Sequence, residues 1–213
     1  MNEKVLTIKN ALKDMEVSVE SQTDNEIVIK IKVPEKQVKL ADLVPGTIFK
    51  VGKREFIVLG HGKDTTAVIL KDFLYAGVFD DDSNNYTNSK VRENLNNGDF
   101  RKEIEAVIGA DNLISHKVIL TANDGLKDYG TCIDKVSLMT ADNYRRYREF
   151  LPGYGDWWWL ATPFSTASNG YSRNVCCVYS NGAVDWDDCG CSYGVRPFCI
   201  FSSSISVSLP EEE

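Results

Sequence analysis

The sequence predicts an α+β protein with a small helix and β-hairpin appendage ahead of the main domain. Three observations carry this reading. Short apolar runs split by turn residues fill the chain after Trp157. Apolar residues at helical spacing follow good N-cap residues between Ser89 and Phe150. Polar and apolar residues alternate near the N-terminus. The length of 213 residues suits one domain of about 170 residues plus an appendage. A domain of that size buries a core without staples.

The appendage is placed at residues 1–38. Val5, Ile8, Leu12 and Met15 recur at helical spacing, a stripe suited to a partner chain. Residues 16–19 and 27–33 alternate like strands, and residues 21–25 supply the turn. Ile27, Ile29, Ile31 and Val33 then share one face. A lone two-stranded hairpin is marginal in water, so this face is expected to dock on the main domain or on a second copy, giving a homo-oligomer. Pro34-Glu35-Lys36 marks the boundary, the main domain follows at residues 39–209, and residues 210–213 form an acidic tail.

In the main domain, strands are expected around residues 56–59 and 66–70, joined by Gly60-His61-Gly62-Lys63-Asp64 with His61 exposed in the turn. Ser89 caps a helix through Val91 and Leu95; a second helix spans residues 99–108 and stops at Gly109. Thr140-Ala141-Asp142 starts a third, ending near Phe150. Strands follow at residues 157–161, 174–179 and 183–186, the last two closed by Ser180-Asn181-Gly182, and then at 195–201 and 204–209. Trp157, Trp158 and Trp159 alternate between strand faces. Arg196 is expected to be buried in a hydrogen-bonded fork as scaffold.

Charge excludes two classes of partner. The net charge is −7, and both nucleic acid and anionic membranes call for clustered Lys and Arg. The nearest basic run, Arg145-Arg146-Tyr147-Arg148, reads as the solvated side and end of a helix. No apolar run approaches the roughly 18 residues that cross a bilayer, and the N-terminus lacks the apolar core of a signal peptide. The expectation is no nucleic acid, no membrane insertion and folding in the cytoplasm, with carriage on a virion or a surface left open.

The residues offer little for catalysis. There is no phosphate-cradling loop, no His-Glu-x-x-His and no nucleophile elbow. Cys132 with His116 is the one nucleophile–base pairing to weigh, against a structural histidine. Residues 80–85, and Asp185, Asp187 and Asp188, offer oxygens for calcium but read as polar loops, lacking EF-hand spacing. The six cysteines read as free thiols; a zinc site at Cys176-Cys177 and Cys189-Gly190-Cys191, or a disulfide, are the alternatives. No enzyme activity, cofactor or metal is expected.

Residues 165–199 stand apart. They hold five of the six cysteines and no Lys, Glu or Gln; Ser, Asn, Asp, Gly, Tyr and Cys stand in their place. Small adaptable polar groups with aromatic anchors are the composition of a recognition surface. The expected contacts are Ser168, Asn169, Tyr171, Ser172, Asn174, Cys177, Tyr179, Asp185, Trp186, Asp187, Asp188, Cys189, Cys191 and Tyr193. Tyr171, Tyr179, Trp186 and Tyr193 would be the anchors.

The frame around that stretch carries a resemblance. Residues 134–140, Trp157-Trp158-Trp159-Leu160-Ala161-Thr162-Pro163, Ser180-Asn181-Gly182-Ala183-Val184 and Gly194-Val195-Arg196-Pro197-Phe198 resemble, in that order, a domain of unknown function common in Firmicutes and their phages. The helix after Ser89 fits the same pattern, so the resemblance covers roughly residues 40–209. The family usually has Arg-Ser-Pro where Ala161-Thr162-Pro163 stands. It looks like a C-type-lectin-like fold, similar to formylglycine-generating enzymes and to variable proteins of diversity-generating retroelements. The Cys pair of those enzymes is not found, so no activity carries over. In the variable proteins, mutagenesis of AAY codons cannot yield Lys, Glu, Gln, Trp or Met, and residues 165–199 fit that alphabet apart from Trp186, which would be fixed. The resemblance implies a diversified receptor for a protein or glycan on a cell surface. The alternatives are an invariant carbohydrate- or protein-binding module of a phage or surface assembly, and an enzyme using the clustered thiols.

Overall fold

The computed structural model describes residues 16–23, 27–32, 37–151, 153 and 155–210. The chain divides into two compact units, residues 1–36 and 37–213. In the first, β1 (Glu16–Gln22) pairs antiparallel with β2 (Ile27–Lys32), with a bulge between Val19 and Ser21. Ser21 and Gln22, expected in the turn, are the end of β1. Val19 and Ile27 are exposed. The expected helical stripe, residues 33–36 and the last three glutamates lie outside the described residues.

The second unit is mixed α+β and mostly sheet. Its strands are β3 (Gln37–Lys39), β4 (Ile48–Val51), β5 (Arg54–His61), β6 (Thr65–Leu70), β7 (Tyr75–Val78), β8 (Leu113–Ile114), β9 (His116–Ile119), β10 (Thr131–Asp134), β11 (Val136–Ser137), β12 (Trp158–Pro163), β13 (Asn174–Val178), β14 (Val184–Asp188), β15 (Ser192–Val195), β16 (Phe198–Ser202) and β17 (Ser206–Ser208). The helices are α1 (Lys90–Asn97), α2 (Asp99–Ile108) and α3 (Ala141–Tyr147). The larger sheet runs β11-β16-β6-β5-β4-β17-β3, with β8 also on β16; the smaller runs β14-β13-β12-β15-β7; β9 and β10 form a separate ribbon. The first strand of the unit pairs with the last, Val38 opposite Val207, which ties the two ends together.

Local chemistry sets the helices. The Ser89 hydroxyl accepts from the Arg92 amide, and Gly109 closes α2 at φ 85. Thr140 and Asn143 form a reciprocal capping box at the start of α3, which continues as a 3-10 turn to Phe150. Val91, Leu95, Phe100 and Ile104 pack into one apolar cluster; Ala141 and Tyr144 of α3 pack into a second. Every residue of β12 is buried: Trp159 and Ala161 enter the first cluster, Trp158 and Leu160 the second. Strand alternation therefore feeds both cores from one strand.

The expected single strand over residues 195–201 is two strands in two sheets. β15 lies in the smaller sheet, Arg196-Pro197 crosses over, and β16 joins the larger one. Proline has no N–H for a ladder, so the pairing breaks there. Arg196 is wholly buried; its Nε donates to the Leu70 carbonyl at 2.7 Å, and its guanidinium lies 5.5 Å from the Trp158 ring centroid. It thus ties β6 of one sheet to β12 of the other. Gly194, two residues before, has the Phe73 ring where a Cβ would stand, at 2.6 Å, so no larger residue fits.

Candidate functional site

Residues 165–199 form a loop, the β13–β14 hairpin and the approach to β15–β16. The loop is built on buried partners. Ser165 and Thr166 are buried, while Ser168, Asn169, Tyr171 and Ser172 are exposed. Asn84, wholly buried, holds the loop's carbonyls: its amide nitrogen lies 2.9, 2.8 and 2.9 Å from the oxygens of Ser165, Tyr171 and Asn174. Its Oδ1 accepts from the Tyr129 hydroxyl at 2.8 Å, and its backbone N–H donates to the Ser172 carbonyl at 2.8 Å. Asp128 accepts from the Thr166 and Ser168 hydroxyls, and Asp124 from Ser165; these bonds hold both carboxyls below the usual range. A left-handed Gly170 at φ 83 turns the chain into Tyr171.

The hairpin presents two faces. On one, the Trp186 and Tyr171 rings lean on the half-buried Phe164, with centroids 5.1 and 5.3 Å away. Trp186 is 40% exposed and Tyr171 41%. On the other, Trp157 stacks on Tyr179 at 3.8 Å and approaches Tyr193 at 5.1 Å. Asp187 accepts there from the Tyr193 hydroxyl and from the Cys191 thiol. Burial first, then that bond to Asp187, pushes the Tyr193 hydroxyl far above the ordinary tyrosine value. Asp185 lies on the same face of β14 as Asp187, opposite Cys177. Asp188 is taken by Arg173 in a fork of two 2.7 Å bonds.

The expected contact set is thus not one patch. Ser168, Asn169, Tyr171, Ser172 and Trp186 are exposed on the loop and the edge strand. Tyr179, Asp187, Cys191 and Tyr193 are half-buried on the opposite face, and Asn174 is half-buried at the start of β13. Cys177 and Cys189 have no exposed surface and sit in the core, so neither can touch a ligand. The physical reason for Cys177 is place in the sheet: β13 lies between β12 and β14 and is covered on both faces.

The thiols do not converge. Cys176 and Cys177, neighbours on a strand, enter different cores. All six cysteines are free. Burial pushes Cys132, Cys176 and Cys177 up to about 12 and Cys189 to about 11, so they are poor nucleophiles at neutral pH. Cys132 donates to Asp134, and His116 instead meets the Ser137 hydroxyl at 2.9 Å and the Phe198 ring edge-on. His61, at the end of β5, reaches Thr66 Oγ1 and the Leu43 carbonyl. Among the described residues no group of three or more His, Cys, Asp or Glu is placed to hold a metal ion. None of the described helices is long and apolar enough to cross a membrane.

Sequence reasoning missed Asn84, Asp124, Asp128 and Tyr129, the residues that set the loop, Phe164, on which the exposed rings rest, and the stacking of Trp157 on the half-buried Tyr179. Asn84 stands 81 to 90 residues from the carbonyls it bonds, and no local pattern signals such a partner.

Residues 119–203 match the family model described as a domain of unknown function (DUF6273), a span that holds β10 to β16 and the whole surface above. Neither the curated proteins nor the solved structures contain a match to this chain.

Proposed function

We propose that residues 37–209 form a C-type-lectin-like recognition domain whose exposed loop and edge strand, within residues 165–199, are a diversifiable ligand-binding surface. The carrying observation is that the Tyr171 ring and the small polar side chains beside it are displayed on loop backbone pinned from below by Asn84 and Tyr129, while the Trp186 ring stands on a strand held by its pairing with β13. Side chains can then change while the backbone stays fixed, which is what a variable receptor needs. The mixed α+β architecture and the order of frame motifs support the scaffold reading. The ligand class is a protein or glycan on a cell surface, since rigid aromatics with adaptable hydroxyls and amides serve both. The function is binding and not catalysis, in keeping with thiols held far from thiolate. The first unit is proposed to bring copies of the chain together.

Sequencing the codons for residues 160–200 across the source population tests this reading. Variation is expected at Ser168, Asn169, Tyr171, Ser172, Asp185 and Asp187, from AAY-reachable codons, while Cys177, Cys189 and Arg196 stay fixed. An invariant stretch would replace the proposal with a fixed binding module.

A further inference from the structure

A cleft of about 160 Å³ lies at the turn end of the β13–β14 hairpin, between that turn and α3 with its 3-10 extension. Arg148, Tyr144, Trp158, Ser180, Asn181 and Gly182 line it. From this cleft we infer a binding site for a carboxylate group; it shares Tyr179 with the expected contacts and lies within the same stretch, but the inference does not rest on the recognition surface proposed above.

The argument begins with charge. Arg148 is the only charged side chain among the lining residues. Its neighbours in the basic run are occupied: Arg145 pairs with Asp142 and bonds Asn123, and Arg146 lies over the Tyr147 ring. Arg148 makes no ion pair among the described residues. Its guanidinium lies 5.9 Å from the Tyr144 ring centroid, a contact that uses none of its N–H donors.

The turn adds donors. The Tyr144 hydroxyl donates to the Gly182 carbonyl at 2.8 Å, fixing the turn against α3. Gly182 takes a left-handed φ of +79 that favours glycine, and a Cβ there would stand 3.1 Å from Arg148 Nη2, so the guanidinium lies against the turn. Asn181 spends its Oδ1 on the Ala183 amide, which leaves its NH₂ to donate. Ser180 adds a hydroxyl. A guanidinium, an amide NH₂ and a hydroxyl around one small space suit an anion.

Size and charge balance choose which. The cleft is about half the volume of the smallest pockets that hold whole drug-sized ligands, so it takes an end group. One guanidinium neutralises one negative charge and grips a carboxylate in a planar fork. A phosphate dianion would keep an uncompensated charge against a chain of net −7.

The test is an amide NMR titration of the full chain with N-acetylglycine, with N-acetylglycinamide, and with inorganic phosphate. N-acetylglycine is expected to give saturable shifts at Asn181 and Gly182, weakened at least about ten-fold by Arg148→Gln and unchanged by Arg146→Gln. Arg148 is exposed, so the variant keeps the fold, and its dispersed spectrum checks that. Equal shifts from the uncharged amide, tighter binding of phosphate, or an equal loss with Arg146→Gln would overturn the inference. None of these outcomes bears on codon variation at Ser168, Asn169, Tyr171, Ser172, Asp185 and Asp187, none of which lines the cleft, so the two proposals fail separately.

Discussion

Two rungs of the β13–β14 hairpin set the contrast on which the surface depends. Cys176 stands opposite Trp186, and Cys177 opposite Asp185. The β13 member of each rung is buried, at 1% and 0% exposure, and the β14 member is exposed. All four residues lie in one stretch, and all but Trp186 fit its restricted alphabet. Their fates differ because β13 is interior to its sheet and β14 is the edge. Composition marks a surface-forming segment, and sheet order decides which of its residues reach the surface.

Swapping the residue types across a rung breaks this contrast at the point of largest effect. Cys177→Asp would place a carboxylate in the apolar core without a partner. It should cost roughly 4 kcal/mol or prevent folding, by the penalty for a buried unpaired charge. Urea unfolding measures it, and a loss under 1 kcal/mol would mean that β13 is not interior.

The next largest effect lies under the loop. Asn84→Ala removes the donor for three carbonyls and the acceptor for Tyr129. Leaving these buried groups unsatisfied should cost about 3 kcal/mol. Hydrogen exchange should rise at Asn169 and Tyr171, whose amides donate to the Thr166 carbonyl within the loop, more than in the larger sheet. Uniform loosening of the whole unit would place Asn84 in the general core instead.

How much of this was legible depends on the reach of each interaction. Ser89, Gly109 and Thr140 act on residues three or four positions away, so their caps can be read from spacing. The alternation of Trp158 and Trp159 between two cores is equally local. The sheet switch at Arg196-Pro197 is legible only in part: Pro197 marks a break in the ladder, but that the two halves join different sheets shows only in the Leu70 carbonyl and Trp158 ring that Arg196 meets. β7 and the β9–β10 ribbon are short, and although their burial alternates, their residue types do not follow it: Ile119 and Ile133 are exposed and Asp134 is buried. The split of the contact set into two faces needed the register, which pairs Cys177 with Asp185.

Titration sharpens the buried side of the contrast. An unfolded thiol titrates near 9, whereas Cys132, Cys176 and Cys177 do so at about 12 when folded. The folded chain therefore holds these protons more tightly. Their contribution to stability is complete below pH 9 and is lost as pH rises toward 12. Thiol labelling of the native chain at pH 8 should modify the half-buried Cys191 first and the buried thiols only on unfolding. Early labelling of Cys177 would contradict the burial of β13.

Asp124 and Asp128 sharpen the exposed side and work in the opposite direction. Their folded values lie below the ordinary 3.8 because loop hydroxyls and amides donate to the carboxylates. The stabilisation is present above pH 4 and fades as pH falls through the lowered values. Both groups are fully exposed, so the loss should appear as local loosening near Ser165 and Ser168 in acid-pH hydrogen exchange, with the sheets unaffected.

The reverse swap gives the smallest effect and the cleanest reading of the edge strand. Asp185→Cys leaves the backbone pairing of β14 intact, removes a carboxylate that has no ion pair among the described residues, and adds a thiol that water can reach. Stability should change by no more than about 0.5 kcal/mol, as at most surface positions. The new thiol should label at pH 8 far faster than Cys177, its partner across the rung. A large loss of stability would mean that Asp185 is structural. Position 185 would then leave the set that a variable surface is free to change, and Asp187, already bonded to Tyr193 and Cys191, would be the next to test.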